Sequence, residues 1–211
     1  MCLTKAFLVI FFFVRYQCTF KQQIIPHLDS IDPEATLIGA VNTVTCKEGH
    51  WVGYNTDSKG FVFTLKELSQ FKLTGKRICI IGAGGTARAI AVGLIREKIQ
   101  SLCMINRTKE RAIKLFDSIN PILGDLDYSI VNPTDKVTYD NLKQADLVIN
   151  TTPLGMTPNV NQCPLRSMDW VNETHFCYDI VYNPKETLFL EESRKRGATT
   201  MNGMGMLASQ A

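Results

Sequence analysis

The stretch RICIIGAGGTARAIAVGLIRE, residues 77–97, decides the fold. Arg77 to Ile81 is a short, mostly apolar and β-branched run, the mark of a buried strand. Gly82-Ala83-Gly84-Gly85-Thr86-Ala87 follows at once, and beyond it Ala87, Ile90, Ala91, Leu94 and Ile95 recur on one helical face. A strand, a G-x-G-x-x-A turn and a helix in direct succession form the pattern of a dinucleotide-binding βα unit. Gly82 permits the tight turn, Gly84 leaves the backbone open to a pyrophosphate, and Ala87 lets the helix lie close to the sheet. With Ala83, Gly85 and Thr86 they make a cradle where free N–H groups and the positive end of the helix dipole favour phosphate.

Towards the C-terminus the same alternation continues. SLCMI (101–105), YSIV (128–131), DLVIN (146–150) and FCYDIV (176–181) read as strands. TKERAIKLFDSI (108–119), a short stretch near Asn141 to Gln144, and KETLFLEESRKR (185–196) read as helices. The expectation is an α/β fold, a doubly wound parallel sheet with helices on both faces, from about Ser58 to Thr200. Towards the N-terminus, TLIGAVNTVTC (36–46) and WVGYNTD (51–57) read as two strands around a turn at Lys47 to Gly49. From Asp57 the spacing of Phe61, Leu65 and Leu68 predicts a helix, capped by Asp57 or Ser58, that hinges two units.

The strand after the glycine-turn helix ends in Ile105-Asn106-Arg107-Thr108, about where an NAD enzyme places an acid for the ribose 2′-hydroxyl. No acid stands there. Arg107, Lys109 and Arg111, beside Asn106 and Thr108, gather instead into a local positive site suited to a 2′-phosphate, which favours NADP over NAD.

Composition narrows the remaining classes. The 211 residues are 45% hydrophobic and 20% charged, too apolar for a disordered chain and too mixed for a membrane bundle. A net charge of +3, scattered along the chain, argues against nucleic acid. Seven cysteines without a CxxC pair argue against a disulfide framework or a zinc site and point to the reducing cytoplasm; Cys79 and Cys103 read as small core hydrophobes. Ala6 to Val14 is like a short signal h-region without a small-x-small cleavage site, and its nine residues fall short of the ~20 that span a bilayer as a helix. It reads as a buried strand, a signal peptide or a divergent start to the chain.

Four blocks carry a family likeness: IGAVNTV with GYNTDSKGF (38–44, 53–61); IIGAGGTARAI with INRT; DLVINTTPLGM (146–156); and DIVYNPKETLFL with NGMGMLASQA (179–190, 202–211). In that order they resemble shikimate dehydrogenase, the NADP-dependent family that reduces 3-dehydroshikimate to shikimate in chorismate and aromatic amino acid biosynthesis. The dehydrogenase unit of the fungal pentafunctional arom polypeptide is similar. The resemblance implies an incomplete α/β substrate domain over residues 1–57, a Rossmann-like NADP domain over 58–200, and the start of a helix returning to the substrate domain over 201–211. It also implies a substrate domain lacking part of the family's sequence at both ends.

By the same resemblance Lys21, in TFKQQ, and Asp57, in GYNTD, fall on the family's catalytic lysine and aspartate. A neighbouring carboxylate favours a charged ammonium, which suits the lysine as proton donor in reduction and makes high pH favour oxidation. Asn42, Asp57, Tyr182 and Gln210 fall on contacts to a hydroxylated cyclohexene carboxylate, shikimate or also quinate, whose hydroxyls suit groups that donate and accept. Ile180 and Gly203 fall where the family's backbone meets the nicotinamide. The chain departs from the family's N-V-T-x-P-x-K, reading Arg15-Tyr16-Gln17-Cys18-Thr19-Phe20-Lys21 and so lacking the asparagine and threonine that hold shikimate hydroxyls. Simpler roles stand beside these: Asp57 as a helix cap, Lys21 as a surface lysine, Asn42 holding its own loop, Tyr182 facing the core. The alternative functions are a noncatalytic metabolite sensor of the quinate pathway and an NADP-binding fragment without turnover.

Overall fold

The computed structural model describes residues 21–209, so the Ala6 to Val14 segment and Gln210 lie outside the described residues. The chain divides into two compact units, Met1–Thr56 and Asp57–Ala211.

In the first unit β1 (Ser30–Ile31) is followed by α1 (Pro33–Ile38), β2 (Thr43–Lys47) and β3 (His50–Tyr54). The sheet order is β1-β3-β2, with β1 parallel to β3 and β2 paired antiparallel to β3 from Thr43↔Tyr54 to Lys47↔His50. Glu48 and Gly49 both take positive φ, 53° and 81°, which matches the twist of a two-residue hairpin turn. Thr36 to Ile38 belongs to α1 and not, as expected, to a strand. Local chemistry explains the difference. Asp32 accepts from the Glu34 N–H at 2.9 Å, Pro33 occupies the first turn, and the helix closes at Gly39 with φ 68°. Those caps, with full burial of Ala35 and Ile38, outweigh the strand preference of two β-branched residues.

The second unit opens with α2 (Asp57–Phe63), which begins at Asp57 itself and runs into a wider π turn, Thr64–Leu68. Thr64 Oγ1 donates back to the Gly60 carbonyl at 2.7 Å. The extra residue in the turn rotates the helical register, so Phe61 and Leu65 are fully buried while Leu68, expected on the same face, is 56% exposed.

Six parallel strands follow: β4 (Arg77–Ile81), β5 (Ser101–Ile105), β6 (Asp127–Val131), β7 (Leu147–Asn150), β8 (Phe176–Asp179) and β9 (Thr199–Asn202). The helices α3 (Gly85–Arg96), α4 (Lys109–Leu123), α5 (Lys136–Gln144), α6 (Leu188–Lys195) and α7 (Met204–Ala208) come between or after them. The sheet order is β6-β5-β4-β7-β8-β9, the doubly wound arrangement the alternation predicted. Two boundaries moved outward from the sequence reading: α4 continues past Ile119 with Pro121 inside it, and α5 starts at Lys136. Others moved inward: β3 ends at Tyr54, β8 ends at Asp179, and α6 starts at Leu188, where Thr187 accepts from the Leu190 N–H at 3.4 Å.

Cys79, Ile81, Cys103, Ile105, Val148 and Cys177 join Trp170, Phe189 and Leu190 in one core cluster. The alternate residues Ile78, Ile80, Leu102 and Met104 are buried as well, which is why these strands read as unbroken apolar runs. From β4 the chain builds outward through β5 and β6, then crosses back to lay down β7, β8 and β9 on the other side. The carboxyl ends of β4 and β7 thus form the crevice where doubly wound sheets bind ligands. Among the described residues no helix is long and apolar enough to cross a membrane.

Candidate dinucleotide site

Gly82 leaves β4 with φ 109°, a conformation side chains other than glycine rarely adopt, and its N–H donates to the Ile105 carbonyl at 2.9 Å. A Cβ there would stand 2.5 Å from Thr151 Oγ1. Thr151, just beyond β7, cannot yield easily, because its N–H and hydroxyl both donate to the Ile81 carbonyl, at 2.9 and 2.7 Å. The turn therefore sits on the switch point itself. Beyond it, Gly84 is extended and no side chain caps α3, so N–H groups of the first turn remain available. A Cβ on Gly84 or Gly85 would meet nothing within 4 Å, so that side of the turn is open to a ligand. Ala83 and Thr86 are half-buried, and Ala87 is fully buried beneath the cradle. This geometry fits a dinucleotide pyrophosphate.

At the end of β5, Asn106 donates its backbone N–H to Val131 at 3.0 Å and its side-chain amide to the Thr108 carbonyl at 2.7 Å. Asn132 adds a donation to the Arg107 carbonyl at 3.0 Å. These bonds shape the turn and leave the Arg107 side chain exposed. The Lys109 ammonium pairs with Asp135 at 3.1 Å, and the Asp135 carboxyl is held below its ordinary pKa by the Asn132 N–H and by Lys109. Arg107 and Arg111 are exposed and make no ion pair among the described residues. Replacing Arg107 by alanine is expected to raise the NADPH dissociation constant about tenfold or more while leaving that of NADH nearly unchanged. Equal losses for the two dinucleotides would remove the 2′-phosphate assignment.

The ends of β7 and β8 hold a polar network the sequence reading missed. Asp179 is fully buried; Asn150 Nδ2 and the Val181 N–H donate to its Oδ1 at 3.1 and 3.0 Å, and Thr187 Oγ1 donates to Oδ2 at 2.7 Å. Burial pushes this carboxyl up to about 6, with the donors from Thr187, Val181 and Asn150 pulling the other way. Because the folded value is raised, its contribution to stability is full below the ordinary carboxylate range and is lost as pH rises through about 6. The signal was present in DLVIN and FCYDIV, each of which places a polar residue at the end of an otherwise buried run.

Ile180 and Gly203, 23 positions apart, come together at this end of the sheet, since a Cβ on Gly203 would overlap the Ile180 carbonyl oxygen. Tyr182 lies on the loop after β8 and is 46% exposed, away from the core-facing role. In the first unit Asn42 Oδ1 accepts from the Thr56 N–H at 2.9 Å and from the Thr43 hydroxyl at 3.1 Å, which ties the start of β2 to the segment just after β3. The Lys21 carbonyl accepts from the Val41 N–H at 2.8 Å, and the Lys21 side chain is half-buried. Asp57, the first residue of α2, is 4% exposed. Gln210 falls outside the described residues.

Residues 64–179, more than half of the chain, match the family model for shikimate / quinate 5-dehydrogenase. The chain belongs to the shikimate/quinate 5-dehydrogenase family. It is similar to the shikimate dehydrogenase (NADP(+)) of Desulforamulus reducens, at 40% identity over 190 residues, covering 90% of this chain and 65% of that relative. The chain thus spans less than two thirds of the length of that curated relative, as it does for the one from Moorella thermoacetica. Among solved structures, shikimate 5-dehydrogenase from Listeria monocytogenes, in complex with shikimate and NAD, superposes with a TM-score of 0.83 at 31% identity, covering 90% of this chain and 66% of that one. The Thermus thermophilus enzyme, in complex with NADP(H) and shikimate, gives 0.77 at 32% identity, covering 91% and 67%.

Proposed function

We propose that this protein binds NADP and interconverts 3-dehydroshikimate and shikimate in aromatic amino acid biosynthesis. The observation that carries the reading is the glycine cradle at the switch point of the sheet, in a chain of this family. When bound, NADPH supplies the hydride for the ring ketone. Gly82 to Ala87 take the pyrophosphate, and Arg107 and Arg111 offer guanidinium groups to the 2′-phosphate, with Lys109 shared with Asp135. Lys21 donates a proton to the carbonyl oxygen as the carbon accepts the hydride, and the neutral amine regains its proton from water. Asp57 accepts a hydrogen bond from a substrate hydroxyl. Asn42, Tyr182 and Gln210 meet the ring hydroxyls and carboxylate, and quinate belongs to the same substrate class. Action in the cytoplasm is part of the proposal, supported by the free thiols of Cys46, Cys79, Cys103, Cys163 and Cys177.

The test is NADP+ reduction at alkaline pH with shikimate and then quinate, beside NADP+ binding on the same sample. Binding with turnover of shikimate is expected. Binding without turnover of either would overturn the catalytic part and leave a noncatalytic binding protein, while failure to bind NADP+ would overturn the whole reading.

A further inference from the structure

The buried network at the ends of β7 and β8 joins two loops that are remote in sequence. Asn150 faces Asp179 in the parallel register, so their side chains emerge side by side from the sheet. On one side Asn150 Oδ1 accepts from the N–H and the hydroxyl of Thr152, at 3.0 and 2.7 Å, and its Nδ2 also reaches the Leu154 carbonyl at 3.3 Å. On the other, Asp179 accepts from the Val181 N–H and from Thr187, whose hydroxyl also caps α6. The segment between Asp179 and Thr187 contains Tyr182, and its first residue, Ile180, donates its N–H to the Asn150 carbonyl at 3.0 Å. Gly203 closes the set by donating to the Val181 carbonyl at 3.3 Å.

A buried carboxylate is costly, and well-packed apolar residues would serve bare stability as well or better. What the carboxylate adds is direction: two oxygens and three donors fix where the chain must leave β8. We propose that Asp179, with Asn150 and Thr187, is a positioning residue that clamps the loops Thr151–Leu154 and Ile180–Thr187 and so sets the Ile180 and Gly203 backbone for hydride transfer. The last step rests on the dehydrogenase reading above; the clamp itself does not.

Asp179→Asn keeps one acceptor oxygen for Val181 and Asn150 but turns an N–H₂ toward the Thr187 hydroxyl. Thr187→Val removes that hydroxyl without touching the carboxylate, and Thr187→Ser restores it. Native-state hydrogen exchange of the full chain is measured at the Val181 and Thr152 amides, with Cys79 and Cys103 in the central strands as reference. With D179N and T187V, exchange at the two loop amides is expected to rise about tenfold while the reference amides stay unchanged. In the same variants kcat for shikimate oxidation is expected to fall about tenfold, with NADPH affinity held within about twofold and T187S close to the parent. Unchanged loop exchange, or equal acceleration at Cys79 and Cys103, overturns the clamp. Loosened loops with unchanged kcat overturn the positioning role. Loosened loops in a parent chain that turns over neither shikimate nor quinate support the clamp and overturn the dehydrogenase reading alone.

Discussion

Replacing Gly203 by alanine is expected to lower shikimate oxidation about 100-fold, because close backbone approach leaves no room for a methyl group. The backbone angles are not the reason, since φ −73° and ψ 0° are open to alanine. The reason is contact. The added Cβ would overlap the Ile180 carbonyl oxygen and lie 2.6 Å from the carbonyl carbon and 3.1 Å from Cα. None of these atoms can rotate away, as Ile180 is tied to Asn150 and the preceding Asp179 is paired with Asn202 in the sheet. The end of β9 must shift instead, at an overpacking cost of about 1–3 kcal/mol. Gly205→Ala is the control. Its Cβ would meet side-chain atoms and no backbone, Leu68 Cδ1 at 3.1 Å, exposed enough to move, and the buried Thr64 Cγ2 at 2.8 Å, so it carries a packing cost of its own without pressing on Ile180. Kinetics and thermal melts of the two variants decide the matter: if G203A turns over like G205A, the approach of Gly203 to Ile180 has no part in turnover.

Lys21→Ala is expected to cost about 10²–10⁴ in turnover, the usual range for loss of a proton donor, and to leave NADPH affinity within about twofold. The split is diagnostic, because the glycine cradle belongs to the second unit and Lys21 to the first. Unchanged turnover would take Lys21 out of the mechanism. Asp57→Asn separates a second pair of roles. A carboxylate in the first turn of α2 also favours the helix dipole, worth about 0.3–1 kcal/mol. A loss confined to the melting temperature would make Asp57 a structural acid only; a loss of turnover in a variant that melts within a few degrees of the parent is the expected result.

The central strands and the glycine turn were legible because each is dictated locally. Residues buried on both faces must be apolar throughout, so RICII and SLCMI announce themselves. A turn at φ 109° needs glycine wherever it occurs. The caps of α1 were equally local, in Asp32, Pro33 and Gly39, but β-branched Thr36 and Ile38 pulled the reading towards a strand. Strand β9 offered less: Met201 is the one apolar residue of TTMN and no residue in it is buried, because it lies at the edge and is held mainly by its ladder to β8. Leu68 left the apolar face only because a π turn changed the helical period beneath it.

By itself, then, the sequence determined the α/β class, the order of strands and helices through the sheet's centre, and the chemistry of the phosphate cradle. Each of these depends on burial and backbone angles that act within a few residues. The tertiary structure alone decided which polar groups would meet. Asn150 and Asp179 are 29 residues apart and become neighbours through parallel register, and Lys109 finds Asp135 across the end of the sheet. The physical reason is that a charge or a hydrogen bond is settled by distance in space, and here strand order sets that distance, while no local pattern of residues records it.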